Sequence, residues 1–304
     1  MERRKFIKNT VIGSVAFAAS GGVSSSLKAE NRSKANQAKF KMKFAPTLEM
    51  FKAHAGDDPI DNIKFIADQG FTAIYDLGLI NRTPQMQEKI MAEVRKAGLE
   101  FGHFSLKTPW SGPTFVLNNN EVKQMIKERI QAGIELQKRT GVNDALFVPG
   151  RIEPKLSWDA QTANLIENLR LCCELADKSG LRLIMEPVSD GGVFVTKTSQ
   201  AKMICMAVNN PNFKFANDIY HMQITEGNII ANIDNCWDYI GTFHTGDNPG
   251  RNEPTTGELN YKNILKHIHN KGYTSIIGLE HGKSKPGKEG ELALIKAYRE
   301  VDPS

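Results

Sequence analysis

The sequence predicts an α/β fold, a (β/α)8 or TIM barrel that forms a single domain. Helical patterns that end in glycine and lead at once into an apolar strand recur along the chain. This alternation is typical of βα units in a parallel sheet. About eight such units follow one another, which is the number in a closed barrel of this class. Several strands also end in Asp, Glu or His, where barrel enzymes place their catalytic residues.

The predicted elements alternate in order from residue 42 onward. The strands cover 42–45, 73–76, 100–104, 145–148, 182–186, 214–217, 239–245 and 275–279, and the helices cover 60–68, 84–96, 121–139, 159–178, 199–208, 228–232, 261–270 and 289–299. Long helices show an apolar face, as in the third, where Ile126, Ile130 and Ile134 recur at four-residue spacing. A doubly wound open sheet fits less well, because no Gly-x-Gly-x-x-Gly loop follows the first strand.

Composition and charge restrict the class of partner. The chain has 304 residues, 40% of them hydrophobic and 24% charged, as expected for a globular protein. The formal net charge is +5, but residues 1–43 contribute +8, which leaves −3 on the remainder. A slightly acidic body argues against a surface that binds the phosphate backbone, so we expect no nucleic-acid partner.

The basic N-terminal segment resembles a twin-arginine export signal. Glu-Arg-Arg-Lys-Phe-Ile-Lys at 2–8 is followed by an apolar, small-residue run at 11–19 that is short for a membrane span. An ordinary Sec-type signal or an uncleaved anchor is the alternative. The resemblance implies a signal peptide at 1–29, a linker at 30–40 and the barrel at 41–304. It also implies an exported or periplasmic protein with no stable membrane insertion after export.

Four potential metal ligands stand at the ends of four successive predicted strands. They are Glu186, Asp218, His244 and Glu280, at the ends of strands five to eight. In a barrel these ends open on one face, so the four side chains are expected to converge. Three carboxylates and one imidazole suit one divalent ion, Mn2+, Mg2+, Co2+ or Zn2+. Taken singly, each residue is as readily explained by an ion pair or a helix cap; the set of four favours a metal site.

Three segments resemble the hydroxypyruvate isomerase family. They are Asp-Ile-Tyr-His-Met-Gln at 218–223, the loop 247–261 that opens with Asp-Asn-Pro-Gly-Arg, and Gly-Leu-Glu at 278–280. That family belongs to the wider group of xylose isomerase-like barrels, which includes ketose 3-epimerases, and the resemblance covers about residues 40–300. It implies a (β/α)8 fold and a metal-dependent isomerase or epimerase that shifts a proton through an enediolate. The implied substrate is a small sugar or a hydroxy-keto acid.

The resemblance also implies roles for individual residues. Glu186 and Glu280 would be catalytic, one removing and one returning the proton on opposite sides of the substrate carbon, while both hold the metal together with Asp218 and His244. His221 and Arg251 would bind substrate oxygens. Related barrels form dimers or tetramers, so a homo-oligomer remains open.

Two departures from the family pattern keep other functions open. His244 stands where many hydroxypyruvate isomerases have Gln, and the segment after Glu186 lacks their Asn-x-x-Asp continuation. A non-catalytic exported sugar-binding barrel, or a lyase or dehydratase with the same metal site, is the alternative. An endonuclease IV-like phosphodiesterase fits poorly, since it needs several more His ligands. His103, Lys107 and Trp110, after the third strand, are further pocket candidates.

Overall fold

The computed structural model describes residues 37–303, so the predicted signal at 1–29 and most of the linker at 30–40 lie outside the described residues. The strands are β1 (Lys43–Ala45), β2 (Ala73–Ile74), β3 (Glu100–Phe101), β4 (His103–Ser105), β5 (Asp144–Phe147), β6 (Arg182–Met185), β7 (Phe213–Asp218), β8 (Ile240–Thr245) and β9 (Ile276–Leu279). The helices are α1 (Lys52–Ala55), α2 (Pro59–Asp68), α3 (Pro84–Lys96), α4 (Asn120–Thr140), α5 (Trp158–Asp177), α6 (Thr198–Val208), α7 (Ile219–Thr225), α8 (Ile229–Cys236), α9 (Tyr261–Asn270) and α10 (Gly287–Val301).

The strands follow one another around a ring. Seven parallel strands lie in the order β1-β9-β8-β7-β6-β5-β4, and β2 pairs in parallel with β3. Only Gly102 separates β3 from β4, so these two are halves of the single strand predicted at 100–104. On the other side, a parallel bridge joins Thr47 to Tyr75, just beyond β1 and β2. The ring therefore closes, and the predicted (β/α)8 barrel is confirmed.

Local signals in the sequence explain where the helices begin and end. Asp58 and Asn119 cap α2 and α4, because their side-chain oxygens accept hydrogen bonds from backbone N–H groups of the first turn. At the end of α4, Gly141 adopts a φ of 80°, a left-handed conformation that glycine accepts without strain. Strand β5 then starts three residues later, at Asp144. This is the helix, glycine and strand order that the sequence predicts.

Apolar side chains fill the barrel interior below the site. Leu146, Ile184 and Ala216 form a cluster that is separate from the large core between the strands and the helices. Since side chains alternate along a strand, Glu186 points to the same side as Ile184, and Asp218 to the same side as Ala216. The pleat of β6 and β7 thus aims both carboxylates into the mouth of the barrel.

The predicted elements differ from the structure mainly after β7. Helix α7 begins directly after that strand and was not predicted, and the short helix predicted at 228–232 is α8, which reaches Cys236. Polar residues that belong to the site interrupt the apolar pattern of α7, and this hides its helical period. Among the described residues we find no helix with both the length and the apolar character needed to cross a membrane.

Candidate metal centre and active site

The structure brings the four predicted metal ligands together. Glu186, Asp218, His244 and Glu280 come from the ends of β6, β7, β8 and β9, which are neighbours in the sheet. One ligand atom from each lies within 4.8 Å of the others. Glu186, Asp218 and His244 are buried, while the Glu280 side chain remains one quarter exposed. Convergence at the carboxyl ends of the strands follows directly from the barrel.

The imidazole of His244 lies at the centre of this cluster. Its Nδ1 is 2.9 Å from Oε1 of Glu186 and 2.6 Å from Oε2 of Glu280. One nitrogen donates one proton at most, so it cannot satisfy both carboxylates. Oε2 of Glu280 is buried and has no well-aligned donor among the described residues. A divalent cation placed among these oxygens and Nδ1 would serve all of them, so the donor set fits a metal ion.

Space for the His244 ring depends on Gly278 in the neighbouring strand. A Cβ added at Gly278 would lie 2.8 Å from Cδ2 of His244, closer than carbon atoms pack. The glycine in Gly-Leu-Glu at 278–280 therefore makes room for the ring beside β9. The structure thus explains why glycine occupies position 278 of this motif.

The carboxylate of Asp218 does two things at once. Its Oδ1 accepts hydrogen bonds from the backbone N–H groups of Tyr220 and His221, at 2.8 and 3.3 Å, and so caps α7. Its Oδ2 accepts a hydrogen bond of 2.9 Å from a terminal guanidinium nitrogen of Arg251. The helix cap fixes the orientation of the carboxylate, and the second oxygen faces the cluster.

Arg251 joins the long loop to the cluster. Besides Asp218, its Nε donates to the backbone carbonyl of Glu280 at 3.1 Å, and its guanidinium lies over the ring of Tyr220, 4.8 Å from the ring centre. The Arg251 side chain is about one third exposed. It therefore carries positive charge to the site while leaving part of its guanidinium open to a ligand.

Hydrogen bonds and close backbone packing fix the conformation of the loop that carries Arg251. The carboxylate of Asp247 accepts hydrogen bonds from the backbone N–H groups of Gly257 and Leu259, at 2.9 and 3.0 Å. A Cβ at Gly257 would approach the carbonyl oxygen of Asn248 to 1.9 Å, so only glycine fits there. Glu253 accepts hydrogen bonds from the backbone and the side chain of Ser284, so it ties the loop to the segment after Glu280.

His221 lies on α7 at the edge of the cluster. The backbone N–H of Ser189 donates to its Nδ1 at 3.1 Å, so that nitrogen is an acceptor and the ring proton lies on Nε2. Nε2 is 3.7 Å from Oδ2 of Asp218. Burial lowers the pKa of His221, which favours the neutral ring. Ser189 is a site residue that sequence reasoning missed, since no pattern singles it out.

A cavity of about 460 Å³ opens over the cluster. Glu186, His221, Arg251 and Glu280 all border it, as do the pocket candidates Lys107 and Trp110. The other lining residues form an apolar wall and a small polar group: Leu77, Leu146, Val148 and Val188, and then Ser105, Thr108 and Asp190. His103, the third candidate, lies instead behind His244. A small ligand in this cavity can reach both proposed catalytic carboxylates.

The two glutamates have opposite tendencies to hold a proton. Burial, reinforced by the charge of Glu280, raises the pKa of Glu186 to about 7. Burial would also raise the pKa of Glu280, but His244 and Arg251 outweigh it and lower that pKa to about 2. Burial likewise opposes protonation of His244, yet the two carboxylates raise its pKa well above 6.5. Paired groups that differ in this way are typical of acid–base sites.

Comparisons with known proteins agree with the barrel fold. The chain is 31% identical to hydroxypyruvate isomerase of Escherichia coli (strain K12), over 58% of this chain and 69% of that protein. It is 30% identical to 2-oxo-tetronate isomerase of Cupriavidus necator, over 51% of this chain and 61% of that protein. The fold resembles the crystal structure of 3-keto-D-glucoside 4-epimerase from E. coli, with a TM-score of 0.71, 17% identity, and coverage of 86% of this chain and 99% of that one. The family described as xylose isomerase-like TIM barrel matches residues 63–300, so the chain belongs to the xylose isomerase-like TIM barrel family.

Proposed function

We propose that this protein is a metal-dependent isomerase or epimerase that shifts a proton through an enediolate on a small sugar or hydroxy-keto acid. One observation carries the proposal: two glutamates with opposite proton affinities border one cavity and share one imidazole. The isomerase names of the two relatives support this class of reaction.

Glu186, Asp218, His244 and Glu280 would hold the divalent ion. When bound, the ion supplies Lewis-acid polarisation of a substrate carbonyl and its neighbouring hydroxyl. Three carboxylates around one imidazole and one arginine leave negative charge for such an ion to neutralise. Mn2+, Mg2+, Co2+ and Zn2+ all accept this mixed oxygen and nitrogen set.

Glu186 and Glu280 are the groups that move the proton. One accepts it from the substrate carbon, and the other, or the same one, returns it. If one carboxylate returns the proton to the neighbouring carbon, and the hydroxyl proton passes between the two substrate oxygens, an aldose and a ketose interconvert. If the second carboxylate returns it to the opposite face of the same carbon, the product is an epimer. Both side chains border the cavity, so the arrangement serves either outcome.

His221 and Arg251 bind substrate oxygens. The Nε2–H of His221 is a neutral donor, because Nδ1 is engaged by Ser189. The guanidinium of Arg251 offers a planar set of donors that matches two oxygens of a carboxylate or a vicinal diol. Together they would hold the substrate so that its reacting carbon faces the glutamates.

The protein is exported, on this proposal, by the twin-arginine-type signal at 1–29, and the barrel from residue 41 acts outside the cytoplasm. Arg3 and Arg4 are the residues on which this part depends. Replacing both with lysine should leave the full-length chain in the cytoplasmic fraction. Unchanged export of that variant would contradict a twin-arginine route.

Solvent exchange tests the reaction directly. The chelator-treated protein, supplied with Mn2+ or Co2+ in D2O, should incorporate deuterium at one carbon of a substrate drawn from a panel of ketoses and hydroxy-keto acids. The double variant Glu186→Gln and Glu280→Gln should incorporate none. Full exchange by that variant, or exchange that is independent of metal, would contradict the proposal. Binding of a ketose without exchange would indicate a sugar-binding protein instead.

A further inference from the structure

We propose that His103 is a positioning residue for His244, fixing its tautomer and ring orientation for metal binding; this rests on the metal-binding part of the proposed function. His103 lies at the start of β4, and three strands separate β4 from β8 in the sheet. Its Nε2 is 3.0 Å from Nε2 of His244. Both imidazoles are buried, with 1% and 0% of their surface exposed. No role in the proposed reaction accounts for this contact.

The contact requires one donor and one acceptor. Two nitrogens at 3.0 Å in a buried site share a single proton, since two N–H groups would repel and two lone pairs would remain unsatisfied. The Nδ1 of His244 faces Glu186 and Glu280, so it is the nitrogen available to an ion. When Nδ1 gives its lone pair to a metal, the ring proton lies on Nε2. His244 then donates, and Nε2 of His103 accepts.

Packing holds His103 in the position that this contact needs. The ring of Tyr75 lies against it, with 4.6 Å between ring centres and 33° between planes. The Tyr75 hydroxyl donates to the backbone carbonyl of Leu279 at 3.1 Å, which ties this ring to the residue before Glu280. Gly278 leaves room beside both rings, since a Cβ there would lie 2.8 Å from Cδ2 of His244 and 3.4 Å from Cε1 of Tyr75. Tyr75 and β9 therefore fix the two imidazoles relative to each other.

A ligating histidine generally has a partner of this kind on its second nitrogen. Removal of such a partner typically weakens metal affinity about 10–100-fold. In most sites the partner is a carboxylate or a carbonyl oxygen. Here a neutral imidazole would take that place, since only a neutral ring has a bare nitrogen that can accept the proton of His244 at 3.0 Å.

Metal affinity is the first test, measured on the full chain with Zn2+ after chelator treatment, by calorimetry. His103→Phe keeps a ring beside Tyr75 but removes the acceptor, and its Kd should rise about 10–100-fold. His103→Gln offers a side-chain oxygen as acceptor and should bind close to the wild type. His54→Phe is the matched control, since that partly buried histidine hydrogen-bonds Glu291 instead. Equal affinity of the wild type and His103→Phe would overturn the inference and leave the proposed function standing.

The second test needs no variant. Long-range proton–nitrogen NMR of the Zn2+-loaded wild type reports which nitrogen of each histidine carries the proton. We expect the proton of His244 on Nε2 and a bare Nε2 on His103. A proton on Nε2 of His103 would overturn the inference even if the metal binds. Failure of the wild type to bind Zn2+, Mn2+ or Co2+ would overturn the metal site of the proposed function and this inference with it.

Discussion

At the amino-terminal end of the barrel, Asp144 and Arg182 pair at two points, whereas at the carboxyl end three carboxylates share one imidazole and one guanidinium. Arg182 donates from Nε and from a terminal nitrogen to the two oxygens of Asp144, both at 2.6 Å. These residues open β5 and β6 and stand opposite each other in the sheet. The Arg182 side chain is half exposed.

The difference between the two ends concerns charge balance and burial. In the amino-terminal pair one guanidinium balances one carboxylate, and the guanidinium is in contact with solvent, as in many structural ion pairs. At the carboxyl end acids outnumber bases, and Glu186 and Asp218 are buried. A surplus of buried carboxylates is costly unless a cation or a proton compensates. Charge at the first end stabilises the barrel, while charge at the second end is arranged for a ligand.

The largest expected effect is on the rate of solvent exchange, which should depend on the carboxylates at the carboxyl end and not on those at the amino-terminal end. Glu280→Gln or Glu186→Gln should slow solvent exchange by about 10²–10⁴-fold, the usual contribution of a general acid or base. Asp144→Asn, an equally conservative change in the amino-terminal pair, should leave the exchange rate unchanged. Deuterium incorporation measured by mass spectrometry compares the three variants. A similar loss in all three would contradict a division between structural and catalytic charge.

A smaller effect is expected at Arg251. Arg251→Lys keeps the charge but loses the planar set of donors, so KM should rise roughly tenfold, equivalent to about 1.4 kcal/mol, with kcat less affected. Steady-state kinetics give both constants. Lys107→Met is a suitable control, because Lys107 borders the same cavity without a hydrogen bond from its ammonium group among the described contacts. A greater rise in KM for Lys107→Met would move the substrate anchor to that side chain.

In the metal-free protein, protonation of Glu186 and His244 makes a contribution to stability that depends on pH. The folded-state pKa of Glu186 is raised from 4.5 to about 7, so the folded state holds a proton there that the unfolded chain releases. That contribution is lost as pH rises from about 5 to 7. The raised pKa of His244 contributes stability below 6.5 that is lost as pH rises through its folded value.

The Tm of the metal-free wild type minus that of Glu186→Gln should therefore fall between pH 5 and pH 7. This difference isolates Glu186, because the lowered pKa values of His103, His221 and His281 contribute stability that increases with pH in the same range. With saturating Mn2+ the wild-type Tm should increase more at high pH than at low pH, because ligands release protons when a metal binds. Thermal unfolding followed by circular dichroism measures these curves. A difference that stays constant or grows between pH 5 and pH 7 would contradict the charge arrangement described for the cluster.

The smallest effect is expected at the amino-terminal pair itself. Asp144→Asn should lower the free energy of unfolding by no more than about 1 kcal/mol, since Arg182 is half exposed and the burial of Asp144, which raises its pKa, offsets part of the attraction. Urea denaturation measures the change. Metal binding should be unaffected, and a loss of metal affinity in Asp144→Asn would show that the two ends are coupled.

Much of the site could be predicted because the barrel places strand ends on one face. Glu186, Asp218, His244 and Glu280 follow apolar strands directly, so a correct fold class was enough to predict that they converge. Ser189 could not be found in this way, because a single serine in a loop carries no sequence signal; both its backbone N–H and its hydroxyl contact Nδ1 of His221, at 3.1 and 2.8 Å. The place of His103 behind His244 depends on ring packing across three strands, which periodicity does not encode.

Anomalous diffraction from crystals soaked with Mn2+ tests the central claim most directly. We predict one anomalous peak per chain, bonded to Glu186, Asp218, Glu280 and the Nδ1 of His244. Crystals of His244→Phe serve as the control and should show no peak there. A wild-type cluster without manganese, under conditions that give full solvent exchange of substrate, would contradict the account.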